Sequence, residues 1–285
     1  MQLLHFNNFT DYSLLDTGNG KRLERWGEYV LIRPDPQIIW SPSLPEHDWQ
    51  QAAAEYVSQG EHGHWIHNKP VPDFWDIKFH DITLLAKLTP FKHTGIFAEQ
   101  AAHWEWLETH LKDSPPLRIL NLFAYTGGAT MWLTKRGHTV THVDASRPSI
   151  AWAKKNQVAN NFATDSIRWI LDDAATFVAR ELKRGQQYDG IIMDPPAFGH
   201  TPDGKSWKFN RDLPGLLANC SALLSPAARF LIINGYATNS SSLALEHILK
   251  RALPERGTVD FGELCLKQDS TGELISTGIF TRWSN

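Results

Sequence analysis

Hydrophobic positions change their spacing near residue 97. Before it, apolar residues come in short alternating stretches such as Tyr29-Val30-Leu31-Ile32, set among Pro, Gly, Asp and Trp. The turn signals Thr17-Gly18-Asn19-Gly20 and Arg33-Pro34-Asp35-Pro36 bracket that stretch. Residues 1–85 are therefore expected to form a small β-rich N-terminal subdomain of hairpins with a looping connector. From Phe97 the pattern becomes regular. A helical segment, Phe97–Leu111, precedes Ser114-Pro115-Pro116. Strand candidates then alternate with helical ones: Arg118–Phe123, Thr139–Asp144, Ile167–Leu171, Tyr188–Asp194 and Arg229–Asn234. That alternation predicts βαβ units and a parallel sheet over residues 86–285. Two last runs, Val259–Leu266 and Ile275–Trp283, are joined through Gln268-Asp269-Ser270-Thr271-Gly272 with no helix between them. They predict a closing hairpin, one strand of which runs antiparallel to the rest. The class is α/β.

Composition narrows the picture. Of the 285 residues, 42% are hydrophobic and 21% charged, as in ordinary globular proteins. No apolar run reaches the roughly 20 residues of a membrane span, so no membrane partner is expected. The N-terminal Met1-Gln2-Leu3-Leu4-His5 lacks a basic region before an apolar core, and a cytoplasmic protein is the expectation. Cys220 and Cys265 cannot build a disulfide framework or a thiolate metal site by themselves, and no metal is expected. The net charge of −3 means that any nucleic-acid contact must come from a local patch that the total conceals. Twelve scattered tryptophans read mostly as packing residues.

Four segments carry chemistry. In Ile119-Leu120-Asn121-Leu122-Phe123-Ala124-Tyr125-Thr126-Gly127-Gly128 a buried strand ends, a turn bends sharply and a helix opens. Ligands of open α/β sheets bind beyond such strand ends. Glycines let backbone and ligand touch. The spacing is not Gly-x-Gly-x-x-Gly, so the turn suits a ligand without phosphates. Val143-Asp144-Ala145-Ser146 ends the second strand, where a carboxylate can accept from both ribose hydroxyls. Capping of the next helix by Asp144 or Ser146, with Pro148 in its first turn, is the plainer reading. In Leu171-Asp172-Asp173-Ala174 one aspartate can accept from the amine of adenine while the other caps a helix; Asp173 is the one assigned to adenine. Finally, Asp194-Pro195-Pro196-Ala197-Phe198 ends the fourth strand, beside the first at the switch point. Two prolines remove two N–H donors. The Asp194 carboxylate and the carbonyls of Asp194 and Pro195 then favour a donor-bearing, nitrogen-type acceptor, and Phe198 offers it a ring face.

In this order the segments resemble the class I S-adenosylmethionine (SAM)-dependent methyltransferases related to the bacterial large-subunit rRNA cytosine-C5 and guanine-N7 enzymes. The likeness covers residues 90–283 and includes His93-Thr94-Gly95-Ile96-Phe97-Ala98-Glu99-Gln100. It implies a Rossmann-like seven-stranded methyltransferase sheet with SAM as cofactor. Thr94, Phe97 and Gln100 would border the donor pocket. Asn121, Phe123, Ala124, Thr126 and Gly127 would surround the methionine end, Asp144, Ala145 and Ser146 the ribose, and Asp173 and Ala174 the adenine. Asp194, Pro195, Pro196 and Phe198 would face the acceptor, with Asp194 also bordering the donor. The N-terminal stretch from Leu14 to Arg25 resembles an uncharacterised branch of this group.

Three departures bear on substrate. The family's first motif often carries Lys, Asp and a final Arg where this chain has His93, Glu99 and Ala101. Residues 1–80 do not obviously resemble the separate RNA-binding module of the rRNA enzymes. C5 methylation of cytosine needs a cysteine nucleophile, and the loop after the fifth strand reads Ile233-Asn234-Gly235-Tyr236. The expectation is direct transfer to nitrogen in rRNA or other RNA. The alternatives are a small-molecule or protein acceptor, or a SAM-binding protein without catalysis. Tyr236 reads as a rim or core tyrosine, and residues 200–208 as a solvated loop able to clamp substrate.

Overall fold

A computed structural model of the chain describes residues 1–59, 62–200, 206–253 and 257–285. It forms two compact units, one of residues 1–4, 106–264 and 276–285, the other of residues 5–105 and 265–275. The boundary read from the sequence, between residues 85 and 86, lies inside the second of these.

Strand β1 (Gln2–Leu4) opens the chain. In the N-terminal unit, β2 (Tyr12–Gly18), β3 (Lys21–Trp26) and β4 (Tyr29–Pro34) follow as an antiparallel meander. The β2–β3 connection is the two-residue loop Asn19-Gly20, both residues left-handed at φ 50° and 77°. That is the type I′ turn whose twist matches the flanking strands. A short helix α1 (Glu46–Trp49) leads into β5 (Ala54–Gln59), parallel to β4, and β6 (His62–His67), giving the order β2-β3-β4-β5-β6. A separate hairpin joins β7 (Trp75–Phe79) and β8 (Ile82–Ala86). Its alternation buries Trp75, Ile77 and Phe79 opposite Ala86, Leu84 and Ile82.

Charge is buried in this unit and is paired. The Glu24 carboxylate, with no exposure, accepts from Arg33 Nε at 2.6 Å, Arg33 Nη2 at 2.8 Å and Tyr12 Oη at 2.8 Å. Asp16, equally buried, accepts from the Leu44 amide at 2.8 Å, Trp49 Nε1 at 3.1 Å, Gln268 Nε2 at 3.0 Å and Ser270 Oγ at 2.8 Å. The tip of the closing hairpin thereby belongs to the N-terminal unit.

The unit of residues 1–4, 106–264 and 276–285 holds the larger sheet. Helix α2 (Ala101–His110) precedes β9 (Arg118–Leu122), α3 (Gly128–Lys135), β10 (Thr139–Asp144), α4 (Arg147–Ala159), β11 (Ile167–Leu171), α5 (Ala174–Lys183) and β12 (Gly190–Met193). Then come a ribbon of β13 (Phe198–His200) and β14 (Ser206–Lys208), α6 (Phe209–Ala222), β15 (Phe230–Gly235), α7 (Ser242–Ala252), β16 (Thr258–Lys267) and β17 (Leu274–Ser284). The order is β11-β10-β9-β12-β15-β17-β16-β1. Strands β9, β10, β11, β12 and β15 are parallel, and β17 runs antiparallel to β15. The expected seven strands are all present. The eighth is β1, parallel to β16 at the edge, where the sequence reading had only the β-rich subdomain. Both faces of the central strands are covered, so β12 and β15 are buried along their whole length.

Because β9, β10, β11, β12 and β15 are parallel, their carboxyl ends share one edge, and chain order reverses between β9 and β12. A ligand crevice opens at such a reversal.

The buried Glu24–Arg33 pair makes the first testable statement. Burial raises the Glu24 carboxyl, but the charge and hydrogen bonds of Arg33 outweigh it and leave the pKa below the ordinary 4.5. Its contribution is complete above pH 4.5 and is lost as pH falls through the lowered value. Glu24→Gln leaves Arg33 buried without a countercharge and should cost about 3–5 kcal/mol in urea titrations at pH 7. The gap to wild type should narrow below pH 4.5.

Candidate active site

The turn after β9 is held in a conformation that side chains resist. Phe123 and Tyr125 have φ of 54° and 51°, and Gly127 has 85°. A left-handed non-glycine residue costs roughly 1–2 kcal/mol, so two in three positions must be fixed by their surroundings. The Ala124 amide donates to the Val143 carbonyl at 3.1 Å and the Gly127 amide to the Ala124 carbonyl at 2.9 Å. Gly127 is needed twice over. A Cβ there would sit 3.3 Å from the Ala153 Cβ and 3.4 Å from His142 Cε1, in addition to the positive φ.

Asp144 closes the turn from the next strand. Its Oδ2 accepts from the Tyr125 amide at 2.8 Å and its Oδ1 from the Ser146 amide at 2.8 Å. Burial raises its pKa, against the pull of those two N–H groups. Each oxygen has one backbone donor and one further acceptor direction. Capping of α4 falls to Ser146, whose Oγ accepts from the Ser149 amide, with Pro148 in the first turn. Ala145 is exposed beside it.

At the end of β11 the two aspartates divide their work. Asp172 is ion-paired with Arg180, whereas Asp173 caps α5 through Oδ1, accepting from the Thr176 amide at 2.8 Å. The second Asp173 oxygen has no partner among the described residues. Ala174 is buried at the start of that helix, and Leu171, at the strand end, is 43% exposed. Leu171 ends a strand that is only partly buried, and its exposed side chain offers an apolar face that the sequence reading overlooked.

The turn that the sequence reading gives to the acceptor follows β12. Its Asp194 amide lies 3.4 Å from the Leu122 carbonyl, which brings it directly beside the first turn. Asp194 is half-buried, Pro195 buried, Pro196 exposed and Phe198 55% exposed. The Pro196 carbonyl accepts from Trp207 Nε1 at 2.7 Å, and the Ala197 carbonyl from the Phe209 amide at 3.1 Å. Trp207 also packs on Phe123, ring centroids 5.3 Å apart, so one buried side chain braces both turns. The segment read as a loop is the β13–β14 ribbon; residues 201–205 of it lie outside the described residues.

Two positioning groups were missed. Asn156 on α4, fully buried, donates from Nδ2 to the Thr126 carbonyl at 2.8 Å. Beneath the turn, Asn121 Nδ2 donates to Thr130 Oγ1 at 3.0 Å, and Thr130 Oγ1 lies 2.9 Å from His142 Nδ1. Asn121 is thus engaged under the turn. His142 is kept neutral, its pKa pushed down to about 3 by burial. Thr126 and Ala124 are buried in the turn itself. Thr94, Phe97 and Gln100 belong to the N-terminal unit, Thr94 buried and the other two half-buried. Tyr236 is half-buried, its ring against Gly278 of β17. Among the described residues no group of three or more His, Cys, Asp or Glu is arranged to hold a metal ion.

Two outcomes test this geometry. Gly127→Ala should lower the melting temperature and remove binding of S-adenosylhomocysteine (SAH). Asp144→Ala should weaken SAH binding by about 1–3 kcal/mol, the cost of losing a charged acceptor. In wild type that affinity should decline as pH is lowered from 7 towards 4, because protonation of a raised carboxyl removes an acceptor. Calorimetry finding unchanged affinity in Asp144→Ala would take Asp144 out of the site.

Comparison with known proteins gives the family of the chain. Residues 38–263 match the family model described as S-adenosylmethionine-dependent methyltransferase. A crystal structure of a SAM-dependent methyltransferase from Agrobacterium tumefaciens superposes with a TM-score of 0.95 at 36% identity, covering 100% of this chain and 93% of that one. Ribosomal RNA large subunit methyltransferase K/L of Pseudoalteromonas atlantica is 29% identical over 178 residues, 59% of this chain and 24% of its own length. The protein of the same name from Marinobacter nauticus is 26% identical over 229 residues, 78% of this chain and 30% of its own. The chain therefore spans less than a third of either relative's length. It belongs to the SAM-dependent methyltransferases.

Proposed function

We propose that this enzyme transfers a methyl group to a ring or exocyclic nitrogen of a nucleobase in RNA, with rRNA the first candidate, and without a cysteine nucleophile. The observation that carries the reading is the acceptor turn. Asp194 and two prolines end β12 beside the donor turn, and the Phe198 ring is left 55% exposed. Relatives named for rRNA methylation support the choice of RNA. Work on ribosomal RNA would suit a cytoplasmic enzyme.

The residues present fit SAM. Asp144, at the carboxyl end of β10, keeps acceptor capacity on both oxygens beside the turn. Asp144 would hold the ribose, Asp173 and Leu171 the adenine, and the backbone of residues 124–127 the methionine end. When bound, SAM supplies an electrophilic methyl on a sulfonium. The protein's contribution is alignment of two reactants, which by itself can lower a barrier by roughly 7–11 kcal/mol. Asp194 orients the acceptor nitrogen through its N–H and takes up the proton released as the N–C bond forms. Phe198 holds the base plane against rotation.

Covalent activation through sulfur does not suit these cysteines. Cys220 is fully buried within α6, and burial drives its thiol far above the usual range. Cys265 is 1% exposed, in the other unit. Net charge favours one other reading, in which the acceptor is a small molecule or a protein side chain. Tritiated-methyl transfer into fractionated lysate of a deletion strain separates the two. Label is expected in the RNA fraction, and label confined to small molecules or protein would refute the proposal. Cys220→Ala and Cys265→Ala should both retain transfer.

A further inference from the structure

The ribbon after the acceptor turn has two unlike faces. Phe198 pairs with Lys208 and Gly199 with Trp207. Directly opposed residues in an antiparallel pair share a face, with Cβ atoms about 4.5–5.5 Å apart. The inner face carries Trp207, buried and hydrogen-bonded to the Pro196 carbonyl at 2.7 Å. Opposite it, Gly199 has no side chain, and a Cβ there would lie 3.5 Å from Pro196 Cγ. That is an ordinary contact distance, so the ribbon lies against the proline without crowding it. The outer face carries Phe198 and Lys208, both exposed. Trp207 therefore fixes where that pair stands relative to the methyl acceptor.

Lys208 has no ion-pair partner among the described residues. Asp212, whose carboxyl feels the Lys208 charge, is already held by Arg211 through bonds of 2.8 and 2.7 Å. Among the described residues no acidic group ion-pairs with the Lys208 ammonium group, and Lys208 shares the outer face with the exposed ring. An aromatic face next to an unpaired cation matches a nucleotide, which presents a flat base and a phosphate on one flexible unit. It also supplies the local positive site that a protein of net charge −3 needs to hold RNA.

We propose that Phe198 and Lys208 form a two-point grip on the target nucleotide, Phe198 stacking on its base and Lys208 binding its backbone phosphate. This rests on the RNA reading above. The test is filter binding of an unmodified large-subunit rRNA transcript, with SAH present, over a series of salt concentrations. Lys208→Gln should weaken binding several-fold at low salt and flatten the log–log salt slope by about 0.7, one single-strand phosphate contact. Lys208→Arg should restore the slope. Phe198→Ala should weaken binding on the order of tenfold and leave the slope unchanged, since stacking releases no counterions. SAH affinity should be unaltered in both Lys208 variants, which shows that they fold. Wild type that binds RNA while Lys208→Gln keeps its full slope would overturn the grip alone. Wild type that binds no RNA at low salt would overturn the grip together with the RNA reading.

Discussion

The strained turn between β9 and α3 is the constraint on which the site depends. Left-handed φ at Phe123 and Tyr125 is unfavourable in isolation, and four separate groups hold it. Asp144 takes the Tyr125 amide, Asn156 takes the Thr126 carbonyl, the Val143 carbonyl takes the Ala124 amide, and Trp207 packs on the Phe123 ring. The first three come from β10 and α4, so the ligand-facing backbone is shaped before any ligand arrives. Preorganisation of this kind transfers the ordering cost from binding to folding.

Burial explains why polar groups can do this. Asn156 and His142 have no solvent exposure, and a misplaced partner would leave an unsatisfied polar atom in the core. His142 illustrates the same point through its charge state, since burial that lowers its pKa to about 3 keeps it a neutral packing and hydrogen-bonding group. The site's carboxylates behave differently. Asp144 and Asp194 stand half-buried at the sheet edge, where they can meet a ligand.

Much of the sheet was legible because its strands are covered on both faces and read as unbroken apolar runs, as Ile191-Ile192-Met193 does. The turns were legible because glycine and paired proline have few conformational uses. What escaped detection was short or context-bound. Strand β1 has three residues and exists through its partner Gly262-Glu263-Leu264, distant in sequence. The ribbon has three residues a side with a glycine among them, too little for alternation to register. Asn156 did leave a signal: it falls on the apolar side of α4, in register with Ile150 and Ala153, where a polar residue needs a buried partner. The sequence reading assigned Asp173 to adenine and the cap to the other aspartate, and the structure corrects that division: Asp173 itself caps α5, because its side chain reaches the Thr176 amide while Asp172 is drawn to Arg180.

Donor and acceptor recognition occupy different levels of the fold. Groups suited to the donor come from strand ends and from turns locked into the sheet, so any protein that keeps the sheet keeps them. Groups proposed for the acceptor come from a ribbon held to the turn after β12 through the bond of Trp207 to the Pro196 carbonyl. A ribbon anchored on one face can change its outer residues without disturbing the parallel strands beneath. That separation accounts for how a common methyltransferase sheet can serve unlike acceptors. In this chain the outer residues are an aromatic ring and a lysine with no ion-pair partner among the described residues, so the proposed grip on substrate resides in the ribbon rather than in the total charge.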